Sequence, residues 1–444
     1  MSVAGDSIVE SLSHGNDASS KASSFADPYG PRRWHTSLIR LSGFQRTINE
    51  LAVERVGEDV ENNLVMLHGY GAGLGFFYKN YEGLSRLPGW KLYALDLLGM
   101  GRSSRPLFRI TASDKQEQIE EAEGWFIDAI EEWRISRKID RFTLLGHSLG
   151  GYMAVAYALK YPGRLNKLIL ASPVGIPEDP HAVNADLPEP AQSTVVHEFT
   201  DDQISTTSNT VTRLSASNDA ALSGMETKCE SRPPSRRMPR WMVYLWEANI
   251  SPFSIIRWSG PLGPRLVSGW TSRRFAHLPL PEAQALHDYS YSLFRQRGSG
   301  EYVLAYILAP GAFARSPLIR RIHRIGRQII PHISTSHQRG TNSPVVMNVR
   351  ENGIPVVLMY GENDWMDAAG GYAATERIEL EKERLLEGAN EEQRARDNGD
   401  AKVVILKKAG HHLYLDAHEQ FVGESLVPLS FPRALISIPI IRIT

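Results

Sequence analysis

Ser148 lies in Gly146-His147-Ser148-Leu149-Gly150, a G-x-S-x-G pattern. The apolar run before it, Phe142–Leu145, reads as a buried strand, and Leu149–Lys160 after it reads as a helix. A serine on such a tight strand–turn–helix corner holds its hydroxyl clear of the sheet. The corner leaves no room for side chains at the two flanking glycines. The helix that starts at Leu149 also aims its first N–H groups at the reaction centre. The chemistry these features support is nucleophilic acyl transfer.

A serine hydroxyl is a weak nucleophile at neutral pH. It needs a general base, and the base needs an orienting carboxylate. On this kind of corner the chain order is serine, then acid, then histidine. Asp364 follows the apolar run Pro355–Tyr360, in Tyr360-Gly361-Glu362-Asn363-Asp364. His411 follows Lys402–Leu406, in Ala409-Gly410-His411-His412. Glu362 and Asp367 flank the acid, and a shift of loop register would hand either one the role. Gly410 permits a sharp turn and favours His411 as base, leaving His412 as a packed or exposed neighbour.

Acyl transfer also develops charge on a carbonyl oxygen, and one well-placed N–H lowers its cost by ~3–4 kcal/mol. His68-Gly69-Tyr70-Gly71-Ala72-Gly73 follows the strand Leu64–Leu67. The expected donors are the N–H groups of Leu149 and Tyr70, with Gly71 as the alternative to Tyr70. The rival is a dinucleotide loop, since Asp96 ends the next strand where a ribose-binding acid would stand. Glycines alternate at 69, 71, 73 and 75, so no G-x-G-x-x-G can be placed, and no Walker A loop is present.

The elements that must position these residues come in two blocks. Leu64–Leu67, Lys91–Leu95, Phe142–Leu145 and Lys167–Leu170 read as strands, with helices near Lys115–Arg134 and Leu149–Lys160. Pro355–Tyr360 and Lys402–Leu406 form the second block. The alternation predicts an α/β fold, a mainly parallel sheet with helices on both faces and an inserted helical cap. The expected organisation is an N-terminal extension over 1–55, a core over 56–175 and 350–425, a cap over 176–349 and a tail over 426–444. Within the cap span, 185–236 is Ser-, Thr- and Pro-rich and reads as a loop insertion, 237–325 as mostly helical, and 331–350 as a second loose insertion. Glu379–Asp400 reads as a solvated charged helix.

Composition narrows the rest. The 444 residues carry 49 Lys and Arg against 50 Asp and Glu, a net charge of −1, which argues against a general nucleic-acid binder. One cysteine, Cys229, excludes an internal disulfide framework and any cysteine-built metal site. No apolar run approaches the ~20 residues that span a bilayer. The first 25 residues lack the basic flank and apolar block of a secretory signal. No metal or organic cofactor is implied.

HGYGAGLGFFYKN (68–80), YALDLLGMGRSSRP (93–106), GHSLGGYMAVAYALKYP (146–162), YGENDWMD (360–367) and AGHHLYLD (409–416) together resemble the α/β-hydrolases. More narrowly they are similar to a lipid-acting subfamily that includes N-acyl-phosphatidylethanolamine lipase, the lipid-droplet lipase coactivator and the fungal cardiolipin-specific deacylase. The fungal branch is the nearest likeness. The resemblance spans roughly 60–175 and 300–422. It implies Ser148 as nucleophile, Asp364 as acid and His411 as base, acting on a phospholipid or other acyl-lipid. Some members carry Asn at the nucleophile and have lost hydrolysis; this chain keeps Ser148. The subfamily's H-x-x-x-x-D motif, linked to lysophospholipid acyl transfer, falls on His411 and Asp416. Asp416 reads instead as an N-cap. The resemblance also implies an intracellular protein peripheral to a membrane, at the mitochondrion for the fungal branch.

Ser231–Phe275 holds eight arginines against one acid, Glu247, together with Trp241, Trp246, Trp258 and Trp270. Tryptophan favours the headgroup level of a bilayer and arginine pairs with phosphate. Trp241, Trp246 and Arg240 are therefore expected to contact lipid. The competing reading makes these tryptophans cap core and the arginines a solvated face.

Overall fold

The computed structural model describes residues 30–178, 246, 248–309, 313–334 and 345–426. Ten strands are present among them: β1 (Arg32–Arg40), β2 (Thr47–Arg55), β3 (Asn62–Leu67), β4 (Trp90–Leu95), β5 (Phe142–His147), β6 (Leu165–Ala171), β7 (Ile329–Ser334), β8 (Val345–Arg350), β9 (Val356–Gly361) and β10 (Ala401–Leu406). Eight form one sheet in the order β1-β2-β4-β3-β5-β6-β9-β10. From β4 to β10 the pairings are parallel; β1–β2 and β2–β4 are antiparallel.

The parallel strands are apolar on both faces because both faces are covered. In β3, Val65 and Leu67 point into one core while Leu64 and Met66 point into the other. In β9, Val356 and Leu358 alternate in the same way with Val357 and Met359. One face packs α1 (Lys115–Ser136) and α2 (Leu149–Lys160), through Phe126, Trp133 and Tyr157. The other face meets the cap helices α3 (Pro252–Trp258), α4 (Gly263–Arg274) and α5 (Leu280–Phe294), through Phe253, Trp270 and Phe294.

Residues 32–55, expected outside the core, supply two strands of the sheet. The disguise is polar: β2 buries Asn49 and Glu50 among Ile48, Leu51, Ala52 and Val53. Glu50 is tolerated because Trp133 Nε1–H donates to it at 2.7 Å and Arg137 ion-pairs with it. Part of the expected cap also changes sides. Val303, Leu304, Ile307 and Leu318 join the core of α1 and α2, so the helices beside the site come from 252–294. The expected loose insertion at 331–350 contributes the β7–β8 antiparallel pair. The charged helix expected over 379–400 is broken. α6 (Ala368–Leu385) stops before Gly388, whose φ is +73°, and α7 (Glu391–Arg396) restarts from an Asn390–Gln393 capping box. Residues 185–236, Cys229 and the tail beyond 426 lie outside the described residues. Among the described residues no helix is long and apolar enough to cross a membrane.

Candidate active site

Ser148 links β5 to α2 with φ +52° and ψ −114°, a backbone conformation that costs on the order of 1–3 kcal/mol. The surroundings hold it there. Its N–H donates to Ala171 O at 2.9 Å, and its carbonyl accepts from Gly151 and Tyr152 N–H. A side chain at Gly146 would come within 2.2 Å of Gly150 O, and one at Gly150 within 2.5 Å of Leu67 O. Both glycines are thus steric requirements of the corner. Ser148 is buried, and the N–H of Leu149 belongs to the first turn of α2.

The loop after β3 runs against Ser148: a Cβ on Gly69 would stand 3.0 Å from Ser148 Cβ. Ala72 N–H donates to Gly69 O, closing a turn with Tyr70 and Gly71 at its centre. Gly71 has φ +68°, which is why a glycine stands there. His68 braces the turn. Its Nε2 accepts from Leu97 N–H at 3.1 Å, so Nδ1 carries the proton and donates to Gly69 O at 2.8 Å. Asp96, the residue a dinucleotide loop would need, is buried and fully engaged. It accepts from Leu74 N–H, Arg102 N–H and Asn49 Nδ2, each at 2.8 Å. Gly73 and Gly75 lie under the ring of Tyr289 from α5, whose hydroxyl accepts from Gly75 N–H. The glycine-rich loop is therefore shaped for the cap.

Asp364 and His411 meet across the ends of β9 and β10. Asp364 Oδ1 lies 3.1 Å from His411 Nδ1, with both side chains buried. A carboxylate at that distance fixes the proton on Nδ1 and leaves Nε2 as the basic edge. Burial pushes the Asp364 carboxyl up. The charge and hydrogen bond of His411, the Ser172 hydroxyl and Met366 N–H outweigh burial and hold it below the usual carboxylate range. Asp367, one alternative acid, caps α6 by accepting from Ala369 N–H. Glu362, the other, accepts from Lys408 N–H.

Two buried residues that sequence reasoning missed support this pair. Ser172, just past β6, has φ +45° and donates to Asp364 Oδ2. His147 sits in the G-x-S-x-G motif itself, and its Nε2–H donates to His411 O at 3.0 Å. Burial first, then the charge of His411, drive the His147 pKa well below the ordinary imidazole value, so it holds the His411 backbone as a neutral donor. The signal for His147 was its place beside the nucleophile. Ser172 gave none, because it reaches Asp364 only through the β6–β9 pairing. His412 is buried and packs at 6.0 Å on Phe76. Burial, then the Arg274 charge, keep it neutral.

Asp416 does not act as an N-cap. It ends α8 (Leu413–Asp416), ahead of α9 (His418–Leu426). Its Oδ2 accepts from Gly410 N–H at 2.9 Å, and it pairs with Arg274 at 3.5 Å and His277 at 3.4 Å. The carboxylate binds the backbone before the base to the cap. The reason is spacing: five residues beyond His411, the chain has turned back under its own loop.

Trp246, expected to contact lipid, is buried and donates from Nε1 to Leu308 O at 3.1 Å. Trp270 is also buried, so for these two the cap-core reading is the right one. Trp241 and Arg240 lie outside the described residues. Beside the Gly69–Ala72 turn an open cleft is lined by Tyr70, Gly71, Met100, Arg105, Phe253 and Phe294. Tyr70 stacks on Phe253 with centroids 5.0 Å apart.

The strand edge, the elbow and the inserted cap define a class. Residues 62–417 match the α/β-hydrolase fold family, and the chain belongs to it. Its relatives place it in the lipid subfamily of that family, the fungal branch included. An Arabidopsis thaliana protein named 1-acylglycerol-3-phosphate O-acyltransferase is 32% identical over 86% of this chain and 69% of its own length. The Rattus norvegicus protein named 1-acylglycerol-3-phosphate O-acyltransferase ABHD5 is 28% identical over 81% of this chain and 74% of its own. The Saccharomyces cerevisiae protein named 1-acylglycerol-3-phosphate O-acyltransferase ICT1 is 27% identical over 82% of this chain and 81% of its own.

Proposed function

We propose that the chain is a serine acyl enzyme that deacylates a phospholipid, either cardiolipin-type or another N-acyl or glycerophospholipid. His411 Nε2 takes the Ser148 proton as Oγ attacks the ester carbonyl carbon. The N–H groups of Leu149 and Tyr70 hold the oxyanion. The C–O bond to the lysolipid breaks, and His411 returns its proton to the leaving oxygen. Water, deprotonated by His411, then attacks the acyl-enzyme. The fatty acid leaves and Ser148 recovers its proton. Asp364 keeps the imidazole oriented and stabilises its charged form.

The observation that carries this reading is the buried 3.1 Å contact between Asp364 Oδ1 and His411 Nδ1, on the strand edge that also bears Ser148 in its elbow. A second reading is favoured by the names of the three relatives. In it the hydroxyl of a lysophospholipid replaces water, and the same acyl-enzyme forms from a phospholipid or a coenzyme A thioester. A non-catalytic lipid-surface scaffold is the remaining alternative, and the retained Ser148 speaks against it.

Purified chain, given mixed phospholipid vesicles that include cardiolipin, separates these readings. Hydrolysis predicts lysolipid plus free fatty acid whether or not 1-acylglycerol-3-phosphate is added. Transfer predicts a diacyl product only when it is added. A fluorophosphonate probe should label the wild type and spare Ser148→Ala; failure to label folded wild type leaves the scaffold reading. A lipid substrate would be met at a membrane surface, and the fungal likeness makes the mitochondrion the compartment to test by fractionation.

A further inference from the structure

The cap presents apolar side chains on two opposite faces. α3 and α4 bury Phe253, Ile256, Val267 and Trp270 toward the sheet. From the same helices and their junction, Ile255, Trp258, Leu262 and Leu266 remain 50%, 75%, 59% and 50% exposed. Ile255 and Trp258 lie on α3 and Leu266 on α4, with Leu262 in the turn between them, so it is their exposure that sets them on the solvent side. A cap helix standing in water should carry polar groups there.

Charge on this stretch has one sign. From 248 to 281 the sequence contains no Asp and no Glu. Arg265 and Arg273 are exposed on α4. Of the other two arginines, Arg257 turns to Glu301 and Arg274 to Asp416. The stretch therefore offers four exposed apolar side chains, two exposed arginines and, among its own residues, no acid. Tryptophan near headgroup level with arginine against phosphate is the pattern an anionic phospholipid surface recognises.

We propose that α3 and α4 form the surface by which this chain lies on an anionic phospholipid bilayer. Ile255, Trp258, Leu262 and Leu266 would enter the interface, and Arg265 and Arg273 would meet the phosphates. The inference rests on the acyl-lipid reading for its purpose and gives that reading a location. The inner side of α3 is the Phe253 wall of the cleft, stacked on Tyr70. Docking thus holds the cap, and with it the mouth of the cleft, at the lipid surface. It also moves the contact from the expected Trp246, which is core, to Trp258.

Flotation of the full chain with vesicles tests it, using phosphatidylcholine alone and phosphatidylcholine with 30 mol% cardiolipin or phosphatidylglycerol. Wild type should float with the anionic vesicles. Trp258→Ser/Leu262→Ser/Leu266→Ser should lose at least ten-fold in affinity. Arg265→Gln/Arg273→Gln should lose about five-fold per arginine on anionic vesicles, an effect that salt erases. Both variants should keep wild-type fluorophosphonate labelling and turnover of a water-soluble short-chain ester, which shows that they fold. Wild type that does not float, or variants that float like it, overturn the proposal. So does a wild-type dimer that the triple variant dissolves without any vesicle binding, because the face would then join two copies. Failure of labelling with flotation intact would refute the enzyme reading alone and leave the surface standing.

Discussion

Two carboxylates grip the loop that carries His411, from opposite sides. Asp364 reaches the imidazole at 3.1 Å and is itself held by Ser172 and Met366. Asp416 reaches the peptide one residue earlier, at Gly410 N–H, and continues outward to Arg274 and His277 of the cap. The first can tune and orient a proton acceptor. The second can fix where the loop stands and tie that position to the cap. Two carboxylates close to the same loop do not have equal roles; the atom that each touches sets its part.

Replacing the acid that touches the ring should cost most. Asp364→Asn is expected to lower kcat on a short-chain ester by about 10⁴, since the amide no longer stabilises a charged imidazole and invites the wrong tautomer. A loss under ten-fold would remove Asp364 from the acid role. Asp416→Asn should cost about ten- to a hundred-fold, through misplacement of the loop. Unlike the first variant it should retain slow fluorophosphonate labelling whose pH profile matches wild type. If instead it abolished acyl transfer to a lysolipid while leaving hydrolysis whole, Asp416 would be an acyltransfer residue after all.

Ser172→Ala probes the support behind Asp364. Removing a hydroxyl that donates to a buried carboxylate should lower stability in urea by about 1.5–3 kcal/mol. Stability unchanged to within half a kcal/mol would make that contact incidental.

The smallest effect lies beyond the comparison, in His412. Burial keeps its folded pKa well below the ordinary value of about 6.5, so the unfolded chain binds a proton the native one refuses. Its contribution is whole above that value and is lost as the pH falls below it. His412→Gln should flatten the fall in stability between pH 6.5 and 5 by about 1.4 kcal/mol per pH unit. An unchanged slope would place its titration elsewhere.

What could be read in advance follows from how local the physics is. Gly146 and Gly150 announced the elbow, because a Cβ at either position meets backbone. Asp364 and His411 stood at strand ends in the required order, and Gly410 favoured His411, the imidazole that Asp364 contacts in the structure. Residues whose meaning is set by distant partners stayed hidden. Ser172 and Asp364 meet across 192 positions of chain. Glu50 made β2 look unlike a strand until Arg137 and Trp133 neutralised its burial. Trp246 and Trp258 share one basic, tryptophan-rich stretch, yet one is core and the other exposed. Composition records the abundance of tryptophan there and is blind to its direction.

The most direct test of the central claim is mass spectrometry on protein quenched with acid during turnover of cardiolipin-containing vesicles. The expected result is a fatty-acyl increment on the peptide that contains Ser148, lost in Ser148→Ala along with product. Lipid turnover without that adduct, persisting undiminished in Ser148→Ala, would contradict it.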